Sequence, residues 1–334
     1  MKKILIASTA LVGTASVAAA EVTLSGYGRF GIQYDENRGT DAAPEEETRL
    51  ESRWRLNIDG VTETDGGIRF AARVRVQADE ESDGSVGTGE INSPRYQVSF
   101  GGFRVRVGNI SGVTDASDVV NYFGIEPGLV GKTGQYATFG GGVLGAFDAY
   151  SSTGQGPTGI NVKYEAGDFA VMASWTDDFD ADEKDGGLGV GDRTTWEIGA
   201  SYTFGDWTIG GVYGEGDFGS TGAPDPAVED YDWWVLTATG AIGPADVVFF
   251  LGETDVDVVG LYEDDLAYGI SGSFPVGAST DITASVAGGG EDSLDTAYGI
   301  GFVHDLGAGV SLKGMAGRDA FDNNIADLGV IFNF

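Results

Sequence analysis

Most of the chain is written in short segments in which apolar and polar residues alternate, the period-two signature of a strand with two unlike faces. In 22–34, Val22, Leu24, Phe30, Ile32 and Tyr34 share one parity, and Thr23, Ser25, Tyr27, Arg29 and Gln33 share the other. Residues 53–58 set Trp54, Leu56 and Ile58 against Arg53 and Arg55. Residues 68–78 set Ile68, Phe70, Ala72, Val74 and Val76 against Arg69, Arg73, Arg75 and Gln77. Tyr96, Val98 and Phe100 then lead through Gly101-Gly102, a tight-turn pair, to Phe103, Val105 and Val107 opposite Arg104 and Arg106.

Similar segments follow at 160–164, 169–175, 194–204, 207–213, 231–241, 245–252, 266–274, 280–287, 296–304, 309–317 and 325–334, which makes sixteen. Short turns such as Gly205-Asp206 alternate with long acidic or glycine-rich loops. One stretch, 110–157, carries almost no clean alternation. A loop that long inside a compact fold is uncommon and usually functional.

An even strand number with unequal ends is the pattern of an outer-membrane barrel, turns on the periplasmic side and loops outside. The arginine parity sharpens this expectation. Arg53 with Arg55, Arg69 with Arg73 and Arg75, and Arg104 with Arg106 each oppose the bulky apolar residues of their own strand. A one-residue slip would turn each arginine toward lipid at about 2–4 kcal/mol near the midplane, so their place is the lumen. The expected fold is all-β: a transmembrane antiparallel β-barrel of 16 strands.

The amino-terminal segment fits export. Met1-Lys2-Lys3, an apolar run over 4–17 and Ala18-Ala19-Ala20 have the layout of a secretory signal, so residues 1–20 are expected to be cleaved and 21–334 to form the barrel. Loss of Lys2 and Lys3 takes the formal charge from -33 to -35. So acidic a chain excludes nucleic acid as a partner, since binding its backbone needs a basic surface. There is no cysteine for disulfide or thiolate chemistry, and the single His304 cannot build a histidine metal site alone. Glycine, 56 of 334 residues, stands far above the usual ~7%. The many interleaved aromatics argue against disorder as its cause.

Two other classes share part of this pattern. A closed barrel could serve as a non-conducting adhesin or structural anchor through its acidic loops. An exported β-sandwich could bind carbohydrate through its aromatics, although it would not need a carboxyl-terminal aromatic or such unequal hairpin ends.

The ending Ala326-Asp327-Leu328-Gly329-Val330-Ile331-Phe332-Asn333-Phe334, the start Glu21-Val22-Thr23-Leu24-Ser25-Gly26-Tyr27-Gly28-Arg29 and Tyr298-Gly299-Ile300-Gly301-Phe302 resemble the general diffusion porins of alphaproteobacteria. The resemblance implies a homotrimeric, water-filled pore in the outer membrane of a Gram-negative bacterium, among lipid and lipopolysaccharide, passing small hydrophilic solutes and ions. It implies that the third long loop, 110–157, folds into the lumen as a constriction. It also implies that the first and last strands pair, bringing the amino group of Glu21 near the carboxylate of Phe334.

Such porins set basic wall residues against acids of the constriction loop. The matching wall positions are Arg29, Arg53, Arg55, Arg73, Arg75, Arg104 and Arg106, with Asp115, Asp118 and Glu126 as the loop acids, and Lys132 and Asp148 as further candidates. Opposite fixed charges across a narrow lumen create a transverse field. The excess of carboxylates suggests a mild cation preference, while the arginines push the other way.

No cofactor is expected. Calcium is the one ion left open, at Asp178, Asp180 and Asp182, which start with the rhythm of a calcium loop. Glu183 stands where that loop needs glycine and Gly189 where it needs an acid, so solvated loops fit better. Gly214-Glu215-Gly216-Asp217-Phe218-Gly219 spells a dinucleotide fingerprint, but no helical pattern follows and its acids would repel a pyrophosphate. No catalytic constellation is found, and no enzymatic activity is expected.

Overall fold

Sixteen long antiparallel strands close on themselves: β1 Glu21–Asp35, β2 Thr48–Glu63, β3 Arg69–Asp79, β4 Arg95–Phe100, β5 Phe103–Gly108, β6 Thr158–Ala166, β7 Phe169–Asp177 and β8 Arg193–Phe204 form the first half. β9 Trp207–Phe218, β10 Asp230–Ile242, β11 Ala245–Val256, β12 Ala267–Pro275, β13 Thr280–Gly288, β14 Ala297–Gly307, β15 Val310–Arg318 and β16 Asn324–Asn333 form the second. Each pairs with its neighbour in sequence, and β16 pairs with β1. Short pairings at Gly39–Thr40 with Ala43–Pro44, and of Glu90–Ile91 with β3, decorate the long-loop end. The structure, a computed structural model, describes residues 20–40, 43–44, 46–79, 89–139, 148–154, 158–177, 193–218, 230–256, 266–290 and 294–334.

The parity read from the sequence sorts the faces. Val22, Leu24, Phe30, Ile32, Trp54, Phe70, Val98 and Val107 are exposed on the outside, where a bilayer supplies their apolar surroundings. Arg29, Arg53, Arg55, Arg75, Arg104 and Arg106 lie on the opposite parity of the same strands. Closure leaves no sheet edge, the condition for strands in lipid. Several turns are two residues long and begin on a glycine with positive φ: Gly101 at 57°, Gly167 at 61°, Gly205 at 58° and Gly243 at 63°. Such turns match the twist of the flanking strands and need a residue free of a Cβ penalty.

Some boundaries differ from expectation. β2 runs from Thr48 to Glu63 rather than over 53–58, because Asn57, Asp59 and Gly60 dilute the alternation without breaking the hydrogen-bond ladder. β9 continues to Phe218, so Gly214 and Gly216 of the fingerprint-like run sit on a strand, where they make room for the rings of Trp233 and Tyr231, while Gly219 lies outside the described residues. The closing seam is also displaced. Phe334 exchanges both backbone hydrogen bonds with Gly26, at 2.9 and 3.0 Å, while Glu21 pairs with Val61 of β2. Glu21 therefore lies five residues, roughly 17 Å, beyond Phe334, and no Glu21–Phe334 ion pair forms.

Candidate functional site

The long connection between β5 and β6 turns inward and runs along the inner wall from β6 round to β16. Asn161 on β6 donates to the Ser111 carbonyl at 3.0 Å. Glu197 on β8 accepts from the backbone N–H groups of Val113 and Thr114 at 2.5 and 3.0 Å, from the Thr114 hydroxyl at 2.5 Å and from Ser174 on β7 at 2.8 Å. Thr237 on β10 accepts from Asn121 N–H at 3.0 Å, and Ser271 on β12 from Ile125 N–H at 2.9 Å. Asp327 on β16 accepts from Leu129 and Val130 N–H at 2.9 and 3.1 Å. A loop inside a barrel must have its backbone polar groups satisfied, and this wall supplies acceptors in sequence.

Packing reinforces the track. Val113, Val119, Val120, Tyr122 and Phe139 of the loop join Met172, Val212, Trp233, Val235 and Phe250 in one buried cluster. The inner face over β7–β11 thus carries large buried apolar residues, interspersed with the polar anchors Ser174, Glu197 and Thr237, because the loop covers it. Wall glycines let the loop close in: a Cβ at Gly210 would overlap the Val119 carbonyl oxygen, and one at Gly269 the Gln135 carbonyl oxygen. Part of the glycine excess is explained here, since backbone approaches backbone only where no side chain intervenes.

The opposite wall is basic, and its pairing follows the register. Between β2 and β3, Arg53 faces Asp79, Arg55 faces Gln77, Asn57 faces Arg75 and Asp59 faces Arg73. Each facing pair is hydrogen-bonded through the arginine Nε, at 2.7, 2.5, 3.0 and 2.6 Å in that order. Arg29 pairs with Glu51 at 2.6 Å and reaches the Leu129 carbonyl at 3.4 Å. Arg106 takes Gln97 at 2.9 Å. Arg55 and Arg75 also meet the returning end of the loop: Ser152 Oγ lies 3.1 Å from Arg55 Nη2, and the Tyr150 hydroxyl accepts from Arg75.

Of the three loop acids expected to face the arginines, Asp118 does so. It is bonded by Arg104 through both oxygens, by Lys163 at 3.1 Å and, more loosely, by Arg106 at 3.6 Å. Burial pushes its carboxyl up, but the Arg104 hydrogen bond and charge, with Lys163, outweigh it and hold it below the usual range. Asp115 instead bonds the Asp148 carboxyl. Asp148 accepts from Gly112 and Tyr150 N–H at 3.2 and 2.9 Å, and burial followed by the Asp115 charge holds it well above the usual range. Glu126 accepts from the Tyr136 hydroxyl at 2.8 Å, and burial raises it too. Lys132 pairs with Asp35 at 2.5 Å.

Two cations of this wall, Arg95 and Lys163, the loop-anchoring carboxylates Glu197 and Asp327, and Glu51, the partner of Arg29, are absent from the expected set. A signal existed for Glu197: inward parity on a strand whose neighbours β7 and β9 carry no arginine or lysine to neutralise it. Asp178, Asp180 and Asp182 lie outside the described residues, as does the signal over 1–19. Among the described residues no group of three or more acids or histidines is arranged to hold a metal.

Residues 7–324 match the model of the Gram-negative porin family. The porin of Fuscovulum blasticum is 30% identical over 331 residues, covering 94% of this chain and all of the relative. That of Rhodobacter capsulatus is 28% identical with the same coverage. A solved triple mutant of Rhodopseudomonas blastica porin superposes with a TM-score of 0.72 at 26% identity, again over 94% of this chain and all of that one. With the closed barrel, the apolar exterior and the charged lumen already in place, the chain belongs to the Gram-negative porin family and is a general porin channel of the outer membrane.

Proposed function

We propose that the lumen loop and the arginine wall are the two sides of the pore's eyelet, with Asp118 as the acid that reaches across. The observation that carries this is the loop's path. Its backbone is bonded to β6, β8, β10, β12 and β16, which leaves the cations of β2–β5 on the side that the loop meets through the side chains of Asp118, Tyr150 and Ser152. Fixed charges in a water-filled constriction orient polar solutes and penalise apolar ones, which lose water without compensation. Small hydrophilic solutes and ions then cross down their gradients with no bond made or broken. Segment 1–20 directs export, and the barrel assembles as a homotrimer among outer-membrane lipid and lipopolysaccharide.

Single-channel conductance of the mature protein, beside a variant with Arg73, Arg75, Arg104 and Arg106 replaced by Gln, tests the eyelet. The expected result is an open wild-type pore whose conductance and ion preference change in the variant. Identical conductance and selectivity would remove the arginine wall from the eyelet. Folded trimers that pass no current would instead favour the adhesin or anchor reading.

A further inference from the structure

Within the basic wall, charge compensation is uneven in a regular way. The row Arg53–Asp79 is neutral and lies at one end of the β2–β3 ladder. The next two rows, Arg55–Gln77 and Asn57–Arg75, pair each guanidinium with an amide, which fixes its Nε without cancelling its charge. In the following row Asp59 is bonded through both oxygens to Arg73, and Arg95 stands directly across from Arg73. One row further, Arg106 is held by Gln97, and its contact with Asp118 is only 3.6 Å from an oxygen already bonded to Arg104. Lys163 is shared between Asp118 and Glu165, at 3.1 and 2.7 Å. Arg55, Arg75, Arg95 and Arg106 are therefore left, among the described residues, as four single positive charges in successive rows. Rows two residues apart along a strand are spaced about 7 Å.

We infer that this stripe is a capture site for small multivalent oxyanions, carboxylates or phosphates, and that it gives the eyelet an anion preference opposite in sign to the chain's net charge. The inference rests on the eyelet reading above. Three features argue for capture rather than simple repulsion relief. Amide clamps hold the guanidinium planes of Arg55, Arg75 and Arg106 through Nε, and the Nη groups of Arg55 and Arg75 meet only the neutral hydroxyls of Ser152 and Tyr150, so an oxyanion competes there with uncharged acceptors alone; bidentate guanidinium–oxyanion pairing is the strong form of this contact. The ~7 Å row spacing lets one anion with two charged ends touch two rows. The hydroxyls of Tyr150 and Ser152 stand at Arg75 and Arg55 as further donors. Burial pushes the Tyr150 phenol up, yet the Ser152 hydrogen bond and the Arg75 and Arg55 charges bring it below its ordinary value, as a positive field at this spot requires.

The test is the reversal potential of the mature protein in planar bilayers under a potassium chloride gradient, with citrate and inorganic phosphate added as separate blockers. The wild type is expected to favour chloride, and citrate to block the chloride current. Replacing Arg55, Arg75 and Arg106 by Gln should lower the chloride-to-potassium ratio about sevenfold per charge, since a unit charge at ~7 Å in water acts about threefold on each ion and with opposite sign on the two, and abolish the block. Arg318→Gln with Asp322→Asn, which removes a neutral pair away from this wall, should leave both unchanged. Heat-modifiable migration on a gel verifies folding, and if the triple variant fails it, Arg106→Gln alone is read the same way. A wild type that prefers potassium, or a folded, conducting variant with unchanged ratio and block, overturns the inference while leaving the eyelet intact. Loss of phosphate block with persistent citrate block overturns the shared site.

Discussion

Replacing Glu197 by Ala should free the lumen loop from its wall without opening the barrel. Glu197 accepts four hydrogen bonds within a region closed to water. Val113 N–H keeps a longer bond to Ser174 Oγ at 3.3 Å, whereas Thr114 N–H and the Thr114 and Ser174 hydroxyl protons lose their acceptor, although the Thr114 oxygen still accepts from Trp233 Nε1 at 3.1 Å. Because the two hydroxyls are free to rotate, the net loss is close to two charge-assisted bonds. At about 1.5–3 kcal/mol each, less the recovered cost of burying the carboxylate, the docked loop loses about 3 kcal/mol. That multiplies the undocked population by about a hundredfold. The readout is open-channel current noise in single-channel recordings, with limited proteolysis of the loop in parallel. Frequent transitions between conductance levels are expected in Glu197→Ala. Glu197→Gln should lie between, because one oxygen still serves Thr114 while the amide group opposes the Val113 N–H. A quiet Glu197→Ala channel with an intact loop would refute the anchoring argument.

Three further outcomes follow from the same geometry. Gly210→Val should push the loop away from β9, since its Cβ would overlap the Val119 carbonyl oxygen; a loss of about 1–3 kcal/mol should lower the unfolding temperature and alter conductance. Acidity should act in two opposite steps: Asp148 and Glu126, held above their ordinary 3.8 and 4.5, favour docking below those values and lose that contribution as pH rises through the raised ones. Asp118, held below 3.8, favours docking above that value and loses its contribution as pH falls through the lowered one, so current noise should fall from neutral pH to about pH 4 and rise again in stronger acid. Phe334→Ala removes the ring stacked on Trp54 at 6.4 Å while keeping the backbone bonds to Gly26; a loss of about 1 kcal/mol should lower the temperature at which the barrel unfolds on a gel.

The strand count and the sidedness of the arginines were legible because lipid imposes a strict parity: a strand such as β3 cannot place Arg73 and Arg75 outward without a large cost. Strand ends were less legible, as β2 shows, because near the rim polar residues fit either face. The loop's track was written in the sequence in a form that alternation does not detect. Trp233-Trp234-Val235-Leu236 and Val247-Val248-Phe249-Phe250 are apolar on both parities, the mark of a strand covered on both faces, and the inner one is covered by the loop. Glycines such as Gly210 and Gly269 mark where that cover comes close. What the sequence could not reveal was partner choice. Asp115, Asp118 and Glu126 are equivalent as letters, and only the path of the chain gives one of them to Arg104, one to Asp148 and one to Tyr136.

The most direct test of the account uses the absence of cysteine from the chain. Arg106→Cys and Val107→Cys are made separately, and each channel is exposed during single-channel recording to a charged, water-borne thiol reagent. Arg106 and Val107 are adjacent residues on opposite faces of β5. If the arginine face lines the conducting lumen, the reagent lowers conductance in discrete steps in Arg106→Cys and leaves Val107→Cys unchanged. Equal effects at both positions, or an effect at Val107→Cys alone, would contradict it.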